Sequence, residues 1–258
     1  MLYKKIQEGN FIIAGPCVIE SRDLLEEVAE ELVRVREDLG VEIIFKSSFD
    51  KANRTSVSGF RGDGIKEGIE HLSYIKEKYK LPVTTDIHES YQAELVKDVV
   101  DIIQIPAFLC RQTDLLLAAA NTGCIVNIKK AQFLSGVDMK YPLEKVLSTG
   151  NKNVMLTERG NMYGYNNLVV DFRNIPDMKS FGVPVVMDCT HAVQRPGSGD
   201  GKTGGNREFV PPMALAAKAF GADGYFMEVH PDPNNGMSDG PNMIYLKDFK
   251  SLVKELIS

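Results

Sequence analysis

Three cations fall within nine residues of this chain: Lys46, Lys51 and Arg54, interleaved with Asn53, Thr55 and Ser56. They begin where the apolar run Ile43, Ile44, Phe45 stops. Arginine offers a planar fork to phosphate or carboxylate, and lysine a compact charge. At the end of a buried strand, with hydroxyl and amide donors alongside, such a set suits a polyanionic small molecule. The plainer alternative is a solvated basic loop. Asn53-Arg54-Thr55 also matches a glycosylation sequon, which carries no meaning without a secretory signal.

Those cations need elements to position them, and the chain supplies a regular series. Strands are expected at Phe11–Cys17, Glu42–Phe49, Pro82–Ile87, Asp101–Ala107, Ile125–Lys129, Val154–Arg159, Pro184–Cys189 and Gly224–His230. Amphipathic segments alternate with them: Asp23–Leu39, Ile65–Tyr79, Tyr91–Val99, Asp114–Asn121, Pro142–Ser148, Asn174–Phe181, Arg207–Phe220 and Lys247–Ile257. In the first, Leu24, Leu25, Val28, Leu32 and Val35 share one helical face. Strict alternation implies parallel strands with right-handed crossovers. Eight units in 258 residues favour a closed α/β barrel, the (β/α)8 TIM barrel, over an open doubly wound sheet. No linker or composition break divides the chain, so residues 1–258 are expected to form one domain. The first ten precede the first strand and are expected to cap the barrel's lower mouth.

Hydrophobic content of 43%, charged content of 25% and a net charge of -5 are ordinary globular values, and they argue against a nucleic-acid partner. No apolar stretch approaches the roughly 20 residues that a membrane helix needs. Met1–Glu8 lacks the apolar core of a signal peptide, so a cytoplasmic protein is expected. Cys17, Cys110, Cys124 and Cys189 are widely spaced without a CxxC pair and read as reduced thiols.

A barrel of this kind carries its chemistry at the carboxyl ends of its strands. There the sequence delivers Cys17, then Lys46 with the basic loop, then Asp86 with His88 and Glu89, then Gln104. Beyond them come Lys129 with Lys130, Glu158 with Arg159, Asp188 with Cys189 and His191, and Glu228 with His230. Two chemical groups separate. Cys17, His191, Glu228 and Asp239 are ligand types for zinc or iron, and the first and last strands become neighbours on closure. Taken singly, each of these residues has a structural alternative: a packed thiol, an ion-pair partner. Lys46, Lys51, Arg54, Lys129 and Arg159 form a cationic group suited to phosphates and a carboxylate. The segment Gly197–Gly204 contains a GxGxxG, but the P-loop pattern has Pro196 where it needs glycine and starts well after its strand. A mobile lid over the rim is the better expectation.

At this point the residues resemble a known family. Ala14–Ser21, Lys46–Ser56, Thr84–Ser90, Ile103–Asp114, Leu156–Gly160, Tyr165–Arg173 and Phe226–Pro233 are similar, in order and over nearly the whole chain, to the 3-deoxy-D-manno-octulosonate 8-phosphate synthases. That resemblance implies condensation of phosphoenolpyruvate with D-arabinose 5-phosphate and water, releasing inorganic phosphate, in lipopolysaccharide biosynthesis. It implies that Lys46, Lys51, Lys129 and Arg159 hold phosphoenolpyruvate with Gln104 nearby, and that Asn53, Arg54 and Thr55 hold the sugar phosphate. Lys46, Lys51, Asp86 and His191 form the expected catalytic set. Phe108 and Arg111 are expected to reach a neighbouring subunit's pocket in a homotetramer. Cys17 matches the metal-dependent branch, where the other branch carries asparagine; His191, Glu228 and Asp239 match its remaining ligands to a divalent zinc, iron or manganese ion. Gly240-Pro241 departs toward the metal-free branch. Cys189 is also less usual, and adds a second thiol expected near the metal.

The nearest rival by resemblance is the seven-carbon homologue that uses erythrose 4-phosphate. Its sugar loop is similar to Lys-Pro-Arg-Thr-Ser, whereas this chain has Lys51-Ala52-Asn53-Arg54-Thr55-Ser56. Asn53 adds an amide able to bind a further hydroxyl. A non-catalytic sugar-phosphate binder would not need eight loaded strand ends.

Overall fold

The computed structural model covers residues 1–258 and describes all but 53–56, 58, 200 and 201, with the backbone alone for 198, 199, 202 and 203. Eight strands form the barrel: β1 (Phe11–Gly15), β2 (Glu42–Lys46), β3 (Val83–Asp86), β4 (Ile102–Ile105), β5 (Ile125–Lys129), β6 (Val154–Glu158), β7 (Val185–Asp188) and β8 (Gly224–His230). Each pairs in parallel with the next, and β8 pairs back with β1 from Phe11↔Gly224 to Gly15↔Glu228. The sheet is closed, and the (β/α)8 reading holds. Helices Arg22–Leu39, Ile65–Tyr79, Ser90–Val96, Thr113–Asn121, Lys140–Leu147, Asn174–Lys179, Val210–Ala219 and Leu246–Ile257 surround it.

Local sequence explains the elements. The Ser21 side chain accepts from the Leu24 amide at the start of the first of these helices, and Gly40 closes it at φ 65°, the left-handed turn that glycine takes at least cost. Leu25, Val28, Ala29, Leu32 and Val35 are buried from that helix, and burying each large apolar side chain contributes about 1.5–3 kcal/mol. On β8 the two-residue period divides the faces. Tyr225, Met227 and Val229 join the layer under the helices, while Phe226 belongs to the barrel interior; the same period puts Glu228 on the interior side.

Several strands stop short of their expected ends. After Gly15 and Lys46 the backbones leave the ladder, and a lone bridge between Val18 and Ser48 continues it. A Cβ on Gly15 would lie 2.0 Å from the Lys46 carbonyl oxygen, so the close approach of these two strand ends requires glycine. Residues before β1 form a helix, Leu2–Glu8. Its Ile6 is fully buried among Phe11, Ile13, Ile44, Ile102, Ile125, Met155, Val186 and Phe226, and the Tyr3 hydroxyl donates to the Val154 carbonyl at 2.8 Å. This helix lies at the amino ends of the strands and leaves the opposite rim to the site.

Candidate active site

Lys46 ends β2 inside the barrel and is 2% exposed. Its Nζ donates to Ser48 Oγ at 2.7 Å and lies 3.5 Å from Asp86 Oδ1 and 3.9 Å from Glu228 Oε1. Ser48 Oγ donates in turn to Asp86, and His88 Nε2 is 3.2 Å from the other Asp86 oxygen. Burial works to raise the Asp86 carboxyl; the Lys46 ammonium and the His88 contact overcome it and hold Asp86 well below the usual range. Lys51 Nζ lies 3.9 Å from Glu228 Oε1. Burial pulls this ammonium down, but Cys17 and the carboxylates of Glu228, Asp86 and Asp239 reverse it and leave its pKa raised. Lys51 is thus a cation throughout the physiological range.

Across the barrel, Lys129 Nζ donates to Asp188 Oδ2 at 2.6 Å and sits 3.7 Å from the centre of the Phe226 ring. Burial lowers its pKa despite Asp188. Asp188 also accepts from the His191 backbone amide at 2.9 Å and faces His191 Nδ1 at 3.0 Å. Against its own desolvation, the contacts with His191 and Lys129 hold Asp188 far below the usual carboxylate range. Arg159, 5% exposed, donates from Nη2 to Gln194 Oε1 at 2.6 Å and to the His191 carbonyl at 3.4 Å. The buried Gln104 Oε1 has no hydrogen-bond partner among the described residues. The interior rim therefore carries four buried cations, with an unpaired amide oxygen among them.

A second constellation adjoins them. One donor atom each from Cys17, Glu228 and Asp239 lies within 4.8 Å of the others. His191 Nε2 approaches Glu228 Oε1 at 3.5 Å and Asp239 Oδ2 at 3.9 Å. Among the described residues, both buried carboxylate oxygens of Glu228 have no hydrogen-bond partner, a costly state for a polar group. Asp239 adopts φ 50°, a left-handed conformation that aspartate tolerates better than most residues. Burial first, and the Glu228 carboxylate second, push the Cys17 thiol well above its ordinary pKa. A thiol, an imidazole and two carboxylates crowded around orphaned oxygens fit a divalent transition ion. His191 is oriented for that task by Asp188, in the carboxylate–histidine pattern common behind metal ligands.

Most residues singled out in the sequence meet on this rim: Cys17, Lys46, Lys51, Asp86, Gln104, Lys129, Arg159, His191, Glu228 and Asp239. Asn53, Arg54 and Thr55 lie outside the described residues. Phe108, in the turn Ala107–Leu109 after β4, is 52% exposed, and Arg111 is exposed beside it; both sit on the outer surface of the chain. Cys189 is corrected: its Sγ donates to the Met187 carbonyl at 3.5 Å and packs in the layer under the helices, because its neighbour Asp188 takes the interior position. Lys130 likewise turns outward. It is wholly buried 3.5 Å from Glu158 and donates to Leu134, Gly160 and Asn161. The described residues of the Gly-rich segment form an antiparallel pair, Gln194–Gly199 with Lys202–Gly205, where a nucleotide loop would run from a strand into a helix.

Sequence reasoning put Asp188 on the rim without giving it a role, and passed over Ser48, Gln194 and Phe226 as members of this site. Asp188 and Phe226 were legible from the two-residue period of β7 and β8, which aims them at the same interior as Glu228. Gln194 follows the expected ligand His191 by three residues, and the turn His191–Val193 brings it back over the rim.

The fold and this rim define a (β/α)8 enzyme with a cation-lined interior and an adjoining metal-type ligand set. The family described as "DAHP synthetase I family" matches residues 5–258, and the chain belongs to that family. It is 53% identical to the 2-dehydro-3-deoxyphosphooctonate aldolase of Cyanothece sp. over 96% of this chain and 90% of that protein. It is 52% identical to the 2-dehydro-3-deoxyphosphooctonate aldolase of Fusobacterium nucleatum over 97% and 93%. The Synechococcus sp. protein of the same name is 55% identical over 95% and 87%.

Proposed function

We propose that this chain is a 3-deoxy-8-phosphooctulonate synthase, condensing phosphoenolpyruvate with D-arabinose 5-phosphate and water for lipopolysaccharide biosynthesis. The observation that carries the reading is the convergence of Lys46, Lys51, Lys129 and Arg159, all buried, on one barrel mouth. These cations share the mouth with Asp86, Asp188, Glu228 and Asp239; with Glu228 and Asp239 given to a metal ion, the cations outnumber the remaining carboxylates and suit two phosphorylated substrates. The family description names the seven-carbon synthase, whereas the three relatives above carry the eight-carbon name, and the Asn53 amide favours the longer sugar.

In the balanced reaction a bond joins carbon 3 of phosphoenolpyruvate to the aldehyde carbon. The oxygen of water ends on carbon 2, and inorganic phosphate leaves. The cations neutralise repulsion between two anions and hold them within bonding reach. Lys46 is oriented by Ser48 and Asp86, and Lys129 by Asp188, so their charges are fixed before substrate arrives. Asn53, Arg54 and Thr55 hold the sugar phosphate. Cys17, His191, Glu228 and Asp239 would hold a zinc, iron or manganese ion, which when bound supplies Lewis-acid polarisation. Phe108 and Arg111, exposed on a single chain, would serve a neighbouring pocket in a homotetramer. No helix among the described residues is long and apolar enough to cross a membrane; we place the enzyme in the cytoplasm. The decisive assay is phosphate release with arabinose 5-phosphate or with erythrose 4-phosphate as co-substrate. Turnover is expected with the first. Preference for the second, or release with neither, would overturn the reading.

A further inference from the structure

Between the cationic group and the metal-type ligand set stands one neutral side chain that no expected role covers. Gln194 Oε1 accepts from Arg159 Nη2 at 2.6 Å, and Gln194 Nε2 donates to Asp239 Oδ1 at 3.3 Å. The other Asp239 oxygen, Oδ2, accepts from Cys17 at 3.2 Å and lies 3.9 Å from His191 Nε2. Arg159 also reaches the His191 carbonyl. One amide thus ties a cation assigned to phosphoenolpyruvate to a carboxylate assigned to the metal.

We infer that Gln194 is a positioning residue that couples phosphoenolpyruvate binding to metal binding through its two hydrogen bonds. The inference rests on the substrate and metal assignments proposed above. Its physical basis is that an amide can accept at one end and donate at the other, so orienting either partner orients both. Arg159 drawn onto an anion fixes the Gln194 oxygen. The Gln194 amide hydrogens then fix Asp239 Oδ1, leaving Oδ2 turned toward Cys17 and His191. Linked hydrogen bonds of this kind polarise one another in a low-dielectric interior. The surroundings keep the chain taut. Gly205, which ends the hairpin that Gln194 begins, packs so closely on Asn242 that a Cβ there would lie 1.4 Å from the Asn242 amide oxygen. Arg207 Nη2 donates to the Gly240 carbonyl at 2.6 Å. The segment from Gly205 to Arg207 and the loop carrying Asp239 are therefore held together beside the Gln194 contact.

Coupling is reciprocal, so each ligand must tighten the other by the same factor. The test is a Co2+ titration of the full-length protein, read by absorbance, with and without phosphoenolpyruvate and with no sugar phosphate present. Gln194→Met keeps the length of the side chain and removes both hydrogen bonds. Gln194→Glu keeps the acceptor for Arg159 and replaces the donor to Asp239 with a like charge. In the wild type, phosphoenolpyruvate is expected to tighten Co2+ binding by a factor within the usual range of about 5–150. Both variants should lower that factor at least about threefold. A merely structural role would weaken the two affinities separately and leave the factor unchanged, which would overturn the inference. So would a wild type in which phosphoenolpyruvate leaves Co2+ affinity unaltered. A wild type that binds no Co2+ at all would remove the metal assignment itself, and the coupling with it.

Discussion

Replacing Asp188 by asparagine tests the electrostatic account of this rim most directly. Lys129 Nζ lies 2.6 Å from Asp188 Oδ2, with side chains 6% and 0% exposed, so water cannot take the place of the lost carboxylate. Lys129 is already pushed below its ordinary pKa by burial, and the change removes its nearest countercharge. Removing one partner of a buried pair costs about 3–5 kcal/mol. Part of that cost falls elsewhere, because Asp188 also serves the His191 ring and backbone amide. Assigning less than half of it to Lys129 still gives about 1.4 kcal/mol, equivalent to about one pH unit. The sign follows from the charge: a lysine is cationic below its pKa, so a further lowering discharges it at lower pH. The basic limb of kcat/KM for phosphoenolpyruvate should therefore move to lower pH by at least about one unit in Asp188→Asn. The asparagine oxygen can still accept from His191 Nδ1, so the imidazole keeps its orientation. The assay is a pH–rate profile of both proteins at saturating sugar phosphate, with circular dichroism to confirm folding. An unshifted basic limb would refute the assignment of Lys129 as a charged phosphoenolpyruvate ligand held by Asp188.

Arg54→Ala should raise KM for arabinose 5-phosphate far more than KM for phosphoenolpyruvate, by about 2–3 kcal/mol of lost charge-assisted bonding; equal changes in steady-state kinetics would reassign the loop. A strong chelator should abolish turnover and an added divalent ion restore it, and Cys17→Ala should lose metal by elemental analysis together with activity. Cys17→Asn, which mimics the metal-free branch, is expected to retain activity that chelators no longer touch. Full activity in wild-type protein shown to be metal-free would reduce Cys17 to a packed thiol. Sedimentation should find an oligomer, with Phe108 and Arg111 at its boundary; a fully active monomer would remove shared pockets.

The sequence by itself determined the barrel. Its eight strand–helix units could be counted from periodicity, since apolar side chains at spacings of two and of about three and a half residues declare which faces are buried. It also placed the ionisable groups on one rim, because the carboxyl ends of parallel strands must share a mouth. Residue type alone separated Cys17, His191 and Glu228 from Lys46, Lys129 and Arg159. Tertiary structure decided which of two adjacent residues enters the interior. Lys129 faces the site while Lys130 is sealed against Glu158, and Asp188 faces in while Cys189 turns to the helices. These choices depend on where each strand leaves the ladder, which a one-residue shift would reverse. Only the folded chain could bring Gln194 between Arg159 and Asp239, because that contact joins three segments far apart in sequence through a hairpin whose path no local propensity fixes. The helix Leu2–Glu8 has the same origin: seven residues are too few to be helical alone, and the barrel's apolar floor around Ile6 stabilises it.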